Sequence, residues 1–357
     1  MRWEAAGRKY SVAWTLEGGL SWRMRIERVD LADAKRIDAC DEASLAAQLA
    51  DWPEAPPLTG SAFRGWLTVG WGGDPREVWL APGREGAAAG WYRLELPERE
   101  NQGRAYLNLV VHPEERRRGL GTALLRHAAA RAAGQGRSVL SGAARNGTPG
   151  EAFARSAGAE PGVVEVYRML DLGKLADGWL AELRQQAEQA AAGYSLVSWT
   201  GPVPEEFISQ AAALYAAMND APHDAGEGTA EWDERRVRDA NDRRPFYGTR
   251  DYTIVARHDA SGELAAFSEM FVHPVDPAWG RQGITAVTRK HRGHRLGLLV
   301  KAAMMESLAT SEPQLERILT SNGESNAHMI AINEALGYTI LGPPAASWLL
   351  DVPAALG

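Results

Sequence analysis

The chain repeats itself, and no other feature restricts its fold as strongly. Residues Gly90–Ala132, "GWYRLELPERENQGRAYLNLVVHPEERRRGLGTALLRHAAARA", run parallel to Ala266–Leu308, "AFSEMFVHPVDPAWGRQGITAVTRKHRGHRLGLLVKAAMMESL". Each has an apolar strand, a polar loop, a second apolar strand and a basic turn, then a helix rich in alanine and leucine. With Val111 set on Val287, Trp91 falls on Phe267, Arg116 on Arg292 and Gly121 on Gly297, without a gap. Downstream, "FARSAGAE" (Phe153–Glu160) and "INEALGYT" (Ile332–Thr339) both read as a helix closed by glycine, at Gly158 or Gly337. Glycine suits that place because it accepts the left-handed conformation that ends helices. A final strand follows each, "VVEVYRMLDL" or "AASWLLDV". The repeating unit is about 150 residues, far beyond a solenoid period and the size of a domain.

Two such domains fit comfortably in 357 residues. Residues 1–171 and 194–357 are the expected copies, and 172–193, "LGKLADGWLAELRQQAEQAAAG", the connection. In it Leu172, Leu175, Trp179 and Leu183 recur at three- and four-residue steps, the mark of one apolar helical face. This predicts a connecting helix packed against both domains. "WRMRIERVD" and "SLVSWT" open the two copies, and "LADAKRIDACDEASLAAQLA" and "EEFISQAAALYAAMND" are their first helices. The N-terminal "YSVAWTL" is an extra strand with no counterpart. A formal net charge of −7 argues against binding to nucleic acid or an anionic membrane, which needs a basic surface. Cys40 is the only cysteine, so an intramolecular disulfide and a cysteine-built metal site are excluded, and a buried packing role is expected. No apolar run approaches the roughly 18 residues that cross a bilayer, and the N-terminus has no secretory core. The expectation is a cytoplasmic protein with no membrane partner and no metal.

The basic turns carry the chemistry. A strand that stops at a turn and opens a helix leaves the first helical amides unpaired, and with the helix dipole these attract anions such as phosphate. In "ERRRGLGTALL" the glycines Gly119 and Gly121 admit a close backbone approach, and Arg116, Arg117 and Arg118 add positive charge. "HRGHRLGLLVK" is the same turn with Arg295 where the internal glycine should be. Backbone amides do the binding, so a side chain there is tolerable if it points away.

Both copies resemble the GNAT superfamily of acyl-CoA-dependent N-acyltransferases, whose pyrophosphate loop reads Arg/Gln-x-x-Gly-x-Gly/Ala. "RRRGLG" (Arg116–Gly121), preceded by "VVHPEE", matches in full; "RGHRLG" (Arg292–Gly297) matches at both ends. "ESNAHMIAINEALGY" resembles the family's later motif, with Asn326 in the place of the asparagine that reaches the pantetheine arm. The first copy has "RNGTPGEAFARSAGA" there, without a clear equivalent. The resemblance covers most of residues 24–172 and 194–353, and its arrangement is that of the tandem members. It implies an α/β fold: two GNAT-like domains, each a mixed, twisted sheet with helices on both faces and a splayed acyl-CoA cleft. It further implies acetyl-CoA as co-substrate, a small-molecule or peptide amine as acceptor, and a monomer or homodimer. Cofactor contacts would fall to Leu109, Val110, Val111, Leu120 and Thr122 beside the first loop. In the second copy they would fall to Thr285, Ala286, Val287, Gly293, His294 and Leu296.

Acyl transfer from a thioester to an amine needs a neutral amine, a stabilised oxyanion and a protonated leaving thiolate. Glu269, mid-strand in "AAFSEMFVH", is the candidate base, because a glutamate in an apolar strand is costly unless paired or raised in pKa. An outward edge-strand glutamate is the plainer alternative. The first copy has Arg93 at that position, with Glu95 and Asn108 as its nearest polar candidates. The tyrosine that often protonates the thiolate in this family is replaced by Ala154 and Asn333, leaving Asn333, Ser325 or water. His273 and Asp276 could border the acceptor, and His291 and His294 flank the phosphate turn; solvated loops explain all four equally. Asp220, Asp224, Glu227 and Asp233 in "MNDAPHDAGEGTAEWDERRVRD" would attract a cationic amine, or form a hydrated loop. Transfer is expected in the second copy, with the first binding acetyl-CoA structurally or degenerate. The reverse assignment and a sensor without turnover stay open.

Overall fold

The computed structural model describes residues 9–15, 21–69 and 73–356. The chain divides into two compact units: the first is Met1–Gly162 with Ala346–Gly357, the second Val163–Ala345. These units do not follow the sequence copies to their ends. The tail expected in the first copy (163–171) belongs to the second unit, and the tail of the second copy belongs to the first.

In the first unit β1 (Lys9–Thr15) and β2 (Ser21–Arg28) precede α1 (Ala34–Asp51) and α2 (Gly60–Val69). Then come β3 (Arg76–Pro82), β4 (Ala88–Glu95), β5 (Arg104–Val111), α3 (Leu120–Gly134), β6 (Val139–Arg145) and α4 (Pro149–Ser156). The strands lie in the order β1-β2-β3-β4-β5-β6, and the C-terminal β14 (Ala345–Asp351) joins beyond β6, followed by α10 (Val352–Leu356). Strand alternation sends neighbouring residues to opposite faces. Val78, Leu80 and Trp91 pack with α1 and α2, while Trp79, Ala81, Tyr92 and Leu94 pack with α3. Leu350, Val352 and Ala355 from the C-terminus complete the second of these cores. Cys40 is fully buried in the first, and burial pushes its thiol up to about 12, so it is inert packing.

The second unit contains β7 (Glu160–Asp171), α5 (Trp179–Ala190), β8 (Tyr194–Thr200), α6 (Ile208–Ala216), α7 (Glu234–Arg243), β9 (Arg250–His258) and β10 (Leu264–His273). It continues with β11 (Asp276–Val287), α8 (Leu296–Ser311), β12 (Arg317–Gly323), α9 (Ala327–Ala335) and the short β13 (Thr339–Ile340). The order is β7-β12-β11-β10-β9-β8, with β13 on β7. β7 pairs antiparallel with β12 from Asp171↔Arg317 to Glu165↔Gly323. Helices cover both faces: α8 and α5 pack on Ile254, Ala256, Met270 and Val272, and α6 on Val255, Leu264 and Phe267. The apolar face of α5 packs through Trp179 and Leu183 on this core, so the connecting helix is an element of the second unit. Gly158 and Gly337 take the left-handed conformation expected at their helix ends, with φ of 80° and 81°.

Candidate active site

In both units two neighbouring strands part company. β5 and β6 run parallel only over Arg104–Tyr106 and Val139–Ser141, and β11 and β12 only over Trp279–Arg281 and Arg317–Leu319. Beyond those pairs each long strand presents a free backbone edge, where an extended ligand can bind like an added strand. In the second unit the gap opens into a cavity of about 1030 Å³. Gln282, Gly283, Ile284, Thr285, Ala286 and Val287 form one continuous wall; Thr320–Gly323 of β12, Asn326 and the turn before α8 form others.

The two basic turns have the same backbone. Each needs two left-handed residues, at positions that correspond: Arg117 (φ 63°) with Gly293 (φ 89°), and Gly119 (φ 78°) with Arg295 (φ 53°). Each turn therefore has one glycine and one arginine at these positions, in opposite order. A left-handed non-glycine residue costs about 1 kcal/mol, and both turns carry one such cost. Gly119 and Arg295 cap α3 and α8 without any side-chain bond to the helix amides, and neither first turn holds an acidic residue. The amides are thus available to an anion. Arg292, Gly293, Arg295, Leu296 and Gly297 all line the second-unit cavity.

The motif's first arginine and last glycine have other employment. Arg116 Nε donates to the Val111 carbonyl at 3.2 Å, and its guanidinium grips Asp51 with two bonds of 2.7 and 2.8 Å. Arg292 repeats this, donating to the Val287 carbonyl at 3.3 Å and pairing with Asp220. Arg116 thus ties its strand end to the end of α1, and Arg292 ties its own to the short turn after α6. A Cβ on Gly121 would lie 3.3 Å from the Phe153 ring, and one on Gly297 3.1 Å from Ile332 Cδ1. These glycines let the helix pack closely against α4 or α9.

A β-bulge separates the copies. β4 and β5 form an unbroken ladder from Gly90↔Val111 to Glu95↔Tyr106. β10 and β11 shift register between Ser268↔Thr285 and Met270↔Gln282, so Gly283 and Ile284 together face Glu269. A bulge leaves one residue unpaired and re-aims the strand. Gln282 Nε2 fixes it by donating to Ser268 Oγ (3.0 Å) and to the Glu269 carbonyl (2.5 Å), while Ser268 and Thr285 share a hydroxyl bond of 2.8 Å. Glycine at 283 leaves room there: a Cβ would meet the Phe271 ring at 2.5 Å, so the ring would have to shift.

Glu269 lies neither at a sheet edge nor on the cavity wall. It is 3% exposed on a central strand, and its Oε1 accepts from Tyr215 (2.9 Å) and Arg244 (2.6 Å). Arg244 also reaches Asp251 at 3.0 Å. Burial opposes the Arg244 charge, but Glu269, Tyr215 and Asp251 more than offset it and raise its pKa. Burial, with Glu269 beside it, raises the Tyr215 hydroxyl. The glutamate expected to be a base is thus the anion of a buried ion pair, which is what makes its burial tolerable. In the first unit Arg93 bonds the Trp66 carbonyl at 2.8 Å and pairs with Glu95 at 3.4 Å.

Asn326 caps α9, its Oδ1 accepting from Met329 N at 3.2 Å, and it lines the cavity. Asn333 is fully buried and off the wall; its Nδ2 donates to Asn322 Oδ1 at 2.5 Å, and Asn322 does line the cavity. The acidic segment is committed elsewhere. Asp220 binds Arg289 and Arg292, whose bonds lower its carboxyl to about 2. Asp224 accepts from Val163 N, Glu227 accepts from Asp224 N, and Asp233 caps α7. His291 is buried against the Tyr194 hydroxyl at 2.8 Å, His294 is exposed, and burial lowers the His273 pKa. Sequence reasoning missed Gln282, Tyr215, Arg244 and Lys301. Only Lys301 left a signal, as a lone cation inside the apolar run "LGLLVKAAMM".

Residues 37–158 match the model of the acetyltransferase (GNAT) family. Mycothiol acetyltransferase of Mycobacterium leprae is 25% identical over 255 residues, which are 69% of this chain and 75% of the relative. A tandem GNAT protein from the clavulanic acid biosynthesis pathway superimposes with a TM-score of 0.76 at 28% identity, over 92% of this chain and 98% of the other. A GCN5-related N-acetyltransferase from Sphaerobacter thermophilus shares the fold, with a TM-score of 0.64 at 15% identity over 92% and 95% of the two chains. Among the described residues no helix is long and apolar enough to cross a membrane.

Proposed function

From the premise that this chain is a GNAT-type N-acetyltransferase with two such domains, we propose that its second unit transfers the acyl group. The donor is acetyl-CoA, laid along β11 between the parted strands. The acceptor is an amine on a small molecule, a reading supported by the relative named for mycothiol. The first unit holds acetyl-CoA structurally or has lost the capacity to react.

The β11 bulge carries this reading. In the transfer, the amine nitrogen attacks the thioester carbonyl, the C–S bond breaks, and negative charge gathers on the carbonyl oxygen before the thiolate leaves. A backbone N–H released from its ladder at Gly283–Ile284, at the wall of the cavity, is a pre-oriented donor for that oxygen. The first unit has no such break in its ladder. Thr285, Ala286 and Val287 then pair with the pantetheine arm, Asn326 closes over it, and the α8 amides hold the diphosphate. Glu269 acts through structure: held by Arg244 and Tyr215, it packs beside the bulge. Asn333 acts likewise, by orienting Asn322.

Measuring CoA release over a panel of amines tests the division of labour. Arg295→Glu, a charge reversal on the second turn, is expected to depress turnover. The double change Arg117→Glu and Arg118→Glu on the first turn is expected to leave most of it. The opposite pattern would assign chemistry to the first unit, and silence across the whole panel would favour a sensor.

A further inference from the structure

Lys301 is a strongly buried charged group of the second unit for which the transfer chemistry has no use. It stands in the middle of α8 and is 2% exposed, yet it belongs to the cavity wall. Among the described residues no carboxylate and no hydrogen-bond acceptor pairs with its ammonium. Beside it lies the Tyr338 ring, with Nζ 5.2 Å from the centroid. Among the described residues the Tyr338 hydroxyl, itself buried, also has no hydrogen-bond partner. An unpaired cation withdrawn from water is costly, and burial alone pulls the Lys301 pKa down to about 7.

The position of this lysine points to a ligand. It follows Gly297 by four residues and so lies on the same helix face, one turn deeper. Leu296 and Gly297, whose amides open the helix, line the same cavity as Lys301, and helical side chains lean toward that N-terminal end. The groups around the cavity are mostly cationic or neutral. The turn before α8 contributes His291, Arg292 and Arg295, α9 contributes His328, and α5 contributes neutral Gln186. Two carboxylates reach this wall, Asp220 and Glu165. Asp220 is held by two arginines, and Glu165 is exposed on β7. On the seam between α5 and α8, Arg184 is matched by Glu188 and Glu306.

We propose that Lys301 is a binding residue for the diphosphate of a coenzyme A thioester, which supplies the counter-ion that the protein withholds. The inference rests on the second-unit cavity being the acyl-CoA site. Free of ligand, the lysine is largely a neutral amine above about pH 7. A docked dianion favours the ammonium, so binding takes up a proton.

Isothermal titration of the full-length chain with CoA, 3′-dephospho-CoA and pantetheine is the test. The first turn is silenced by Arg117→Glu and Arg118→Glu so that one site is read. Lys301→Met is expected to bind CoA and dephospho-CoA at least about tenfold more weakly, the scale of a charge-assisted bond, and pantetheine unchanged. Without ligand the same variant is expected to melt at the same temperature or higher, since it loses a buried unpaired cation. At pH 8 the parent should show a buffer-dependent binding heat that the variant lacks. Should Lys301→Met fail to fold, Lys301→Gln serves in its place. Equal dephospho-CoA affinity in parent and variant overturns the proposal. So does an equal loss for pantetheine, or a loss confined to CoA, which would point to the 3′-phosphate. Failure of the parent itself to bind CoA would sink the functional reading instead.

Discussion

Arg295 fills a left-handed position where glycine is expected, yet the second turn is no more strained than the first, because Arg117 does the same two residues earlier. Arg295→Gly and Arg117→Gly should each raise the unfolding free energy by roughly 0.5–1 kcal/mol, measured by urea denaturation, with CoA binding kept. A large loss of binding in Arg295→Gly would mean that its side chain grips the phosphate. Glu269→Gln leaves Arg244 buried beside Asp251 alone and should cost about 3 kcal/mol in the same assay. The pH–rate profile should keep its shape; loss of the acidic limb would instead reinstate Glu269 as a base. Lys301 gives a pH signature with a definite sign. Its pKa is about 7 folded and, being depressed, lies below the unfolded value, so the unfolded chain binds more protons between the two. The penalty is full below about pH 7 and fades as pH rises toward the ordinary lysine range. The advantage in melting temperature of Lys301→Met should therefore be largest near pH 6 and small near pH 10. An advantage that is flat across this range would contradict the buried, unpaired state.

At the level of elements, the bulged β11 and the close contact of α8 with α9 shape the cleft. Deleting Gly283 would restore an even ladder with β10 and is expected to abolish turnover while the chain still melts cooperatively. Retained turnover would remove the bulge from the mechanism. Gly297→Ala forces its new methyl to within 3.1 Å of Ile332 Cδ1. Because that contact is the end of a flexible side chain, the cost should be about 1–2 kcal/mol, relieved in the double variant with Ile332→Ala. These elements were legible in unequal measure. The turn and the helix behind it showed in "ERRRGLGTALL" because local backbone rules write themselves into neighbouring residues. The bulge did not, since it is a relation between two strands.

Across the whole molecule, the units are completed by strands from the opposite ends of the repeats. Truncation after Pro344 removes β14 and α10, including Leu350, Val352 and Ala355, from the first unit's core. The expected loss is on the order of 5 kcal/mol from the first unit, with the second unit retaining its own transition in calorimetry. A single unchanged transition would show that the tail is dispensable.

Period, polarity and turn chemistry act between residues close in the chain. For that reason the sequence alone determined the duplication, the α/β class, the position of both basic turns, the glycine-closed helices and the acetyltransferase resemblance. Contacts between distant segments decided the rest. Tyr215, Arg244 and Glu269 are scattered over more than 50 residues and become one ion-pair cluster only when α6, the turn after α7 and β10 meet. Arg116 and Asp51, or Asp220 and Arg292, find each other the same way. Ion pairs and hydrogen bonds between distant residues committed the acidic loop to structure, and burial, likewise a property of the packed unit, made Cys40 inert and left Lys301 on the cavity wall without a paired carboxylate.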